Sequence, residues 1–240
     1  MMTGLIRGAG AVAAALALLL ACGRDRAATD LADPLPPPAY GEEAANPEVF
    51  LDTMEVGSRE LYAARNAVLA AAKIEPGERI ADIGAGTGLY SLMFSAAVGA
   101  EGVVYAIDIE PRFLKLIGQR AADLDAGNVV TVLGRDRDIT LPPNSVDVVF
   151  IADTYHYFTD RPAIMATVRD ALSDGGRLII LDYTLDETHK DDTRRAHVRF
   201  GKAGLINEIE AFGFKLAEEP DVAGLNEIYM VVFEKAAPAE

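Results

Sequence analysis

A glycine turn between two apolar runs does most to limit what this chain can become. It reads Asp82-Ile83-Gly84-Ala85-Gly86-Thr87-Gly88, and Asp108 closes the next apolar run twenty residues after Gly88. Ile80, Ala81 and Ile83 read as a short buried strand and Leu89 to Ala97 as a helix, so the glycines occupy a strand-to-helix turn. Glycine reaches positive backbone dihedrals at no steric cost and lets a ligand lie against bare main chain, while amides at a helix start favour a negative group. A dinucleotide fingerprint spaces its glycines G-x-G-x-x-G; here the third comes one residue early and Leu89 takes its place. Val103 to Ile107 form the next strand, and the Asp108 carboxylate at its tip can accept both hydroxyls of a ribose. A nucleoside with a small charged tail suits this arrangement better than one with a pyrophosphate.

The rest of the body alternates apolar β-rich runs with helical patterns, which predicts an α/β fold with an open, doubly wound sheet. Glu48 to Lys73 reads as one helix that buries Leu61, Val68 and Leu69 and caps the ligand cleft. Pro111 favours a helix start ahead of Arg112 to Leu124, and strands follow at Val129 to Leu133 and Ser145 to Phe150. Pro162 to Leu172 reads as a helix, with a strand after it running to Asp182 or Tyr183. A helix from Leu205 to Phe212 stops at Gly213, and Phe214 to Glu218 and Ile228 to Glu234 are the last strands.

The ordered set of motifs resembles the class I methyltransferases that use S-adenosyl-L-methionine. The glycine run, Asp108, Ser145-Val146-Asp147-Val148-Val149-Phe150, Ala152-Asp153-Thr154-Tyr155-His156-Tyr157-Phe158 and Ala171-Leu172-Ser173-Asp174-Gly175-Gly176-Arg177 follow one another with matching separations from Pro47 to Lys235. The resemblance implies a Rossmann-like, seven-stranded, mostly parallel sheet of order 3-2-1-4-5-7-6 with the seventh strand antiparallel. It implies that Asp82 contacts the methionine end of the cofactor, that Gly84, Ala85, Gly86, Thr87 and Gly88 form the cradle, and that Asp108 holds the ribose. Asp153 then sits at the cleft mouth after the fourth strand. One position departs from the pattern: the acid expected beside the adenine falls on Arg135, with Asp136 next. Either Asp136 accepts from the exocyclic amine after a small backbone shift, or main chain and apolar neighbours such as Ile109 hold the base.

Methyl transfer from a sulfonium needs little acid or base help beyond alignment and exclusion of water, unless the acceptor must lose a proton. His156, which titrates near neutrality and follows the fourth strand, is the candidate base. Tyr155 is placed with it at the acceptor side, where it, Tyr157 and Tyr183 shape the pocket or steady the sulfonium through their ring faces. A charged segment from Asp186 to Lys202 reads either as a lid recognising an acidic group or as a solvated helix with internal ion pairs such as Asp191 with Arg195.

The amino terminus carries a second signal. Arg7 precedes an apolar stretch from Ala9 to Ala21 that falls short of the about 20 apolar residues a membrane-spanning helix needs. Residues 1–21 therefore read as a secretory signal peptide, and Leu19-Leu20-Ala21-Cys22-Gly23 resembles the bacterial lipobox, in which the cysteine is lipidated. Cys22 is the only cysteine in the chain. Residues 22–46, with Pro34, Pro36, Pro37 and Pro38, read as a disordered tether, and residues 47–240 as one methyltransferase domain. These features predict a lipid-anchored protein of the cell envelope, facing the periplasm, with Gly23 favouring the outer membrane.

A net charge of −15 repels phosphate backbones, which argues against nucleic acid as a partner. No histidine or cysteine spacing suits a metal. The expected partners are thus a small-molecule or envelope-component acceptor and the membrane through Cys22. Two other classes fit the same residues: a sensor that binds the cofactor without catalysis, and a non-enzymatic envelope interaction protein with a decayed site.

Overall fold

The computed structural model describes residues 46–185, 198 and 201–236. The expected export signal, Cys22 and nearly all of the tether lie outside the described residues, as does most of the charged segment between Asp186 and Lys202.

Alternating apolar side chains build the sheet. β1 (Arg79–Ile83), β2 (Val103–Asp108), β3 (Val129–Leu133), β4 (Val146–Ala152), β5 (Leu172–Tyr183), β6 (Phe214–Glu218) and β7 (Ile228–Lys235) stand in the order β3-β2-β1-β4-β5-β7-β6, with β7 antiparallel to both neighbours. This is the order and polarity that the resemblance implies. Successive side chains of a strand point to opposite faces, and the core divides accordingly. Ala81, Ile83, Val149, Ile151, Leu178 and Ile180 face one layer, whereas Ile80, Val148, Phe150, Ile179 and Leu181 face the other.

The helices close both faces. α1 (Pro47–Met54), α2 (Glu60–Ala63) and α3 (Arg65–Ala72) precede β1; α4 (Leu89–Val98), α5 (Pro111–Asp123), α6 (Arg161–Ala171) and α7 (Lys202–Ala211) follow in chain order. α6 and α7 bury Ile164, Met165, Val168, Leu205 and Ile209 on the first face, while α3 and α4 bury Val68, Ala72, Phe94 and Val98 on the second. Pro111 stands at the start of α5, where its missing amide costs nothing, and the Glu110 side chain caps the helix by accepting from the Arg112 amide at 3.0 Å.

The single helix expected over Glu48 to Lys73 is instead three. Gly57 and Ser58 interrupt it, and the two parts answer to different demands: Leu61, Val68 and Ala72 are buried in the body, whereas α1 buries nothing. α1 is thereby free of the body's helical phase, and its Phe50 meets Phe113 of α5 with ring centroids 4.8 Å apart. The fifth strand also starts earlier than expected, at Leu172, carrying Gly175 and Gly176 through a register irregularity against β4.

Parallel register brings the functional loops together. Ile83 pairs with Ile107 on one side and with Ile151 on the other, so the residues following β1, β2 and β4 emerge side by side at the carboxyl edge. That is where the strand order reverses and where open α/β sheets bind ligands.

Candidate active site

The glycine turn is locked to β2 before any side chain acts. The Gly84 and Ala85 amides both donate to the Ile107 carbonyl, at 2.9 and 3.0 Å. Gly84 has φ +72°, and a Cβ there would overlap the Thr154 side chain; Gly88 has φ +81°, and a Cβ would lie 2.8 Å from Ile117. Both therefore need glycine for two separate reasons, conformation and space.

Asp108 completes the turn. Its carboxylate accepts from the Gly86 amide and from the Glu110 amide, each at 2.9 Å. A carboxylate has about four lone-pair sites, so capacity remains beyond these amides. Burial raises its proton affinity, and the amide hydrogen bonds pull it back down. Asp82, 4% exposed, accepts from the Ser91 hydroxyl at 2.5 Å. Burial pushes its pKa up to about 7, with the Ser91 hydrogen bond opposing and the Asp108 charge adding to the rise.

These groups open onto a cleft of about 630 Å³, within the span of about 300–1,000 Å³ usual for small-molecule sites. Ala85, Thr87, Asp82, Asp108 and Ile109 line it, as do Arg135, Asp136 and Asp138 from the segment after β3. Arg135 and Asp136 thus share one wall, and the hairpin that carries them is closed by the Arg135 amide on the Asp138 carbonyl at 2.8 Å. Ile109 remains 58% exposed at the rim. Tyr157, Phe158, Ile139 and Ile164 line the same cleft with apolar surface.

Two expected residues stand off the cleft wall. Tyr155 was expected beside the acceptor, but it turns into the core: it is 1% exposed, and its hydroxyl donates to Glu208 at 2.5 Å, beside the Arg161–Glu208 ion pair at 3.0 Å. The 3₁₀ turn Tyr155–Tyr157 causes this, because it points consecutive side chains in different directions and the apolar ring of Tyr155 takes the inward one. His156 is also buried. Its Nδ1 lies 2.8 Å from Asp182 and its Nε2 3.9 Å from Asp153. It stands behind Asp153, which itself lines the cleft.

The residue that sequence reasoning missed is Arg59. It sits in the break between α1 and α2, and its guanidinium pairs with Asp153, 94 residues away in sequence. No periodicity marks it; only Gly57 and Ser58 in a nominal helix hint at a break. Asp153 holds φ +53°, an uncommon conformation for a residue with a side chain and one that gathers at functional sites. Arg120 of α5 fastens the same region, donating to the Thr87 carbonyl at 2.8 Å and pairing with Glu55 beyond α1. Among the described residues no group of three or more His, Cys, Asp or Glu could hold a metal ion.

A family model described as a methyltransferase domain matches residues 74–234. The chain belongs to the class I S-adenosylmethionine-dependent methyltransferases. It is 30% identical over 142 residues to the ubiquinone/menaquinone biosynthesis C-methyltransferase UbiE of Shewanella piezotolerans, covering 59% of this chain and 56% of that protein. With UbiE of Burkholderia cenocepacia HI2424 the identity is 32% over 142 residues, covering 59% and 57%. This chain thus spans a little over half the length of the curated relatives it matches. A crystal structure of an S-adenosylmethionine-dependent methyltransferase from Aquifex aeolicus superposes with a TM-score of 0.68 at 22% identity, covering 78% of this chain and 97% of that one. This likeness supports the fold alone.

S-adenosyl-L-methionine is the cofactor of this methyltransferase, and the cleft fits it. The glycine turn presents main chain without Cβ atoms, Asp108 keeps lone pairs for a diol, and a buried acid, Asp82, lies on the same wall.

Proposed function

We propose that this methyltransferase acts on a small apolar acceptor bearing an ionisable hydroxyl, such as a phenol or hydroquinone. The observation that carries this reading is the mixed lining of the cleft, where the acids Asp82, Asp108 and Asp153 share the wall with Tyr157, Phe158 and Ile164. The relatives' name, with its quinone biosynthesis, supports the same class of acceptor.

Asp82 would hold the ammonium of the methionyl end, Gly84 to Gly88 the backbone of the cradle, and Asp108 the ribose. Ile109 would lie against the adenine, with Asp136 taking its exocyclic amine. Bound S-adenosylmethionine supplies a methyl carbon made electrophilic by its sulfonium, whose sulfur leaves with the bonding pair. Tyr157 and Phe158 seat the acceptor ring and keep water away. Asp153 takes the hydroxyl proton, which makes the acceptor nucleophilic. Burial raises its proton affinity, and the Arg59 and His156 charges oppose that rise. His156, held by Asp182, acts as a positioning residue behind it.

The cellular setting is part of the same proposal. Cys22 is lipidated after removal of residues 1–21, and the domain is held at the envelope, facing the periplasm, with an outer-membrane destination. The lipobox-like Leu19-Leu20-Ala21-Cys22 supports this. An acceptor resident in the membrane agrees with an apolar acceptor wall. Labelled palmitate should appear on the wild-type protein and not on Cys22→Ser; label on neither removes the anchor.

The acceptor class is tested by incubating the protein with S-adenosylmethionine and a panel of phenols and short-chain hydroquinones, reading S-adenosylhomocysteine and product mass. Turnover with apolar hydroxylated rings, abolished by Asp108→Ala, is the expected result. Turnover confined to amines or carboxylates sinks the reading.

A further inference from the structure

The cleft is rich in acids yet takes a cofactor whose amino-acid end carries a carboxylate. Asp82, Asp108 and Asp153 all line it, and of the cations only Arg59 and Arg135 reach the wall among the described residues. Arg135 belongs to the hairpin after β3. Arg59 belongs to the other end: Tyr90, which lines the cleft with Asp82, donates its hydroxyl at 2.8 Å to the carbonyl of Leu61, two residues after Arg59. A cofactor whose ammonium meets Asp82 would have Arg59 as the cation available on that side of the wall for its neighbouring carboxylate.

We propose that Arg59 has two partners, Asp153 and the carboxylate at the methionyl end of the cofactor, and that exchanging the first for the second uncovers Asp153 for the acceptor. The proposal rests on the cleft taking S-adenosylmethionine as described above. It makes cofactor binding the step that completes the acceptor side, so the acceptor follows the cofactor.

Both backbones are held, and the long Arg59 side chain carries the freedom that such an exchange requires. Asp153 is fixed at the end of β4, its amide donating to Leu181 at 3.0 Å and its carboxylate 3.9 Å from His156. Arg59 lies between α1 and α2, its amide on the Val56 carbonyl at 3.0 Å, with no side-chain cap of its own on α2. Their side chains are 22% and 19% exposed, so the pair faces the cleft and is not sealed in the core. A guanidinium suits this exchange because its planar fork matches either carboxylate in two-point geometry.

Calorimetry with S-adenosylmethionine and its decarboxylated analogue, which keeps the ammonium and sulfonium, isolates the carboxylate. The wild type should prefer the complete cofactor, and Arg59→Ala should lower that preference by about tenfold, the worth of one charge-assisted contact. Arg59→Lys should keep part of it. Asp153→Asn should tighten S-adenosylmethionine binding a few-fold, because no competing partner has to be displaced, and should have no such effect in an Arg59→Ala background. If Asp153→Asn weakens binding as Arg59→Ala does, or Arg59→Ala keeps the preference, the pair only braces α1 against β4 and the proposal is overturned. If the wild type binds neither compound, the cofactor reading itself fails, which is a different outcome.

Discussion

The Asp108 carboxylate and the Gly86 amide meet at 2.9 Å, so the acid that ends β2 also fixes the shape of the loop that follows β1. Its other oxygen accepts from the Glu110 amide, so each Asp108 oxygen carries a structural hydrogen bond, and loss of the carboxylate should be felt in the loop as well as in ligand binding. Asp108→Ala is expected to weaken S-adenosylhomocysteine binding by about a hundredfold, two charge-assisted hydrogen bonds' worth. Asp108→Asn keeps an acceptor for one amide and should fold more stably than Asp108→Ala while binding as poorly. Calorimetry beside thermal unfolding separates the two; equal affinity in wild type and Asp108→Ala would remove the ribose assignment.

With Asp82 holding the cofactor's ammonium as proposed, binding should depend on pH. Burial raises the Asp82 pKa in the folded protein from the ordinary 3.8 to about 7. The proton is held more tightly when folded, so this contribution to stability is fully present below about pH 4 and is lost as pH rises through about 7. An ammonium ligand needs the ionised form, so affinity for S-adenosylhomocysteine should climb from pH 5 to 7 and level off above. Asp82→Asn should flatten that climb, bind weakly throughout, and at pH 8 be more stable than wild type, because the buried charge is gone. A wild-type affinity that does not change between pH 5 and 7 would refute the assignment.

Gly84 and Gly77 test space against conformation. Both have positive φ, but only at Gly84 would a Cβ meet another side chain, that of Thr154. Gly77→Ala should cost about 1–2 kcal/mol from backbone strain alone. Gly84→Ala should cost more and also loosen the cradle, seen as weaker S-adenosylhomocysteine binding. Equal costs in urea unfolding would show that Thr154 gives way freely.

Tyr155 should prove structural. Removing its hydroxyl leaves Glu208 buried with one fewer donor, so Tyr155→Phe is expected to cost about 1–3 kcal/mol of stability. Cofactor affinity should stay within twofold, because the ring lies in the core and off the cleft wall. A large loss of cofactor affinity without a loss of stability would restore a role at the site.

Arg120 ties the break after α1 to the glycine turn through Glu55 and the Thr87 carbonyl. Arg120→Ala should speed amide exchange across residues 47–55 and around Thr87 while leaving β4 and β5 protected. Unchanged exchange at both places would mean that the apolar contact of Phe50 with Phe113 suffices.

The strands and the cradle were legible because they are local features: alternation sets the strand faces, and Gly84, Gly86 and Gly88 mark a turn by backbone freedom alone; the order of the strands in the sheet came only through the resemblance to the family. The pairing of Asp82 and Asp108 with that turn was legible for the same reason, since strand register carries fixed sequence positions to one edge. What tertiary structure alone decided is everything that depends on which way a side chain leaves an irregular segment. The break at Gly57 and Ser58 set Arg59 against Asp153, and the 3₁₀ turn after β4 sent Tyr155 to Glu208 and His156 to Asp182. Partners 26, 53 and 94 residues apart leave no periodic trace. They meet only because packing of the sheet and its helices fixes distances that no local pattern encodes.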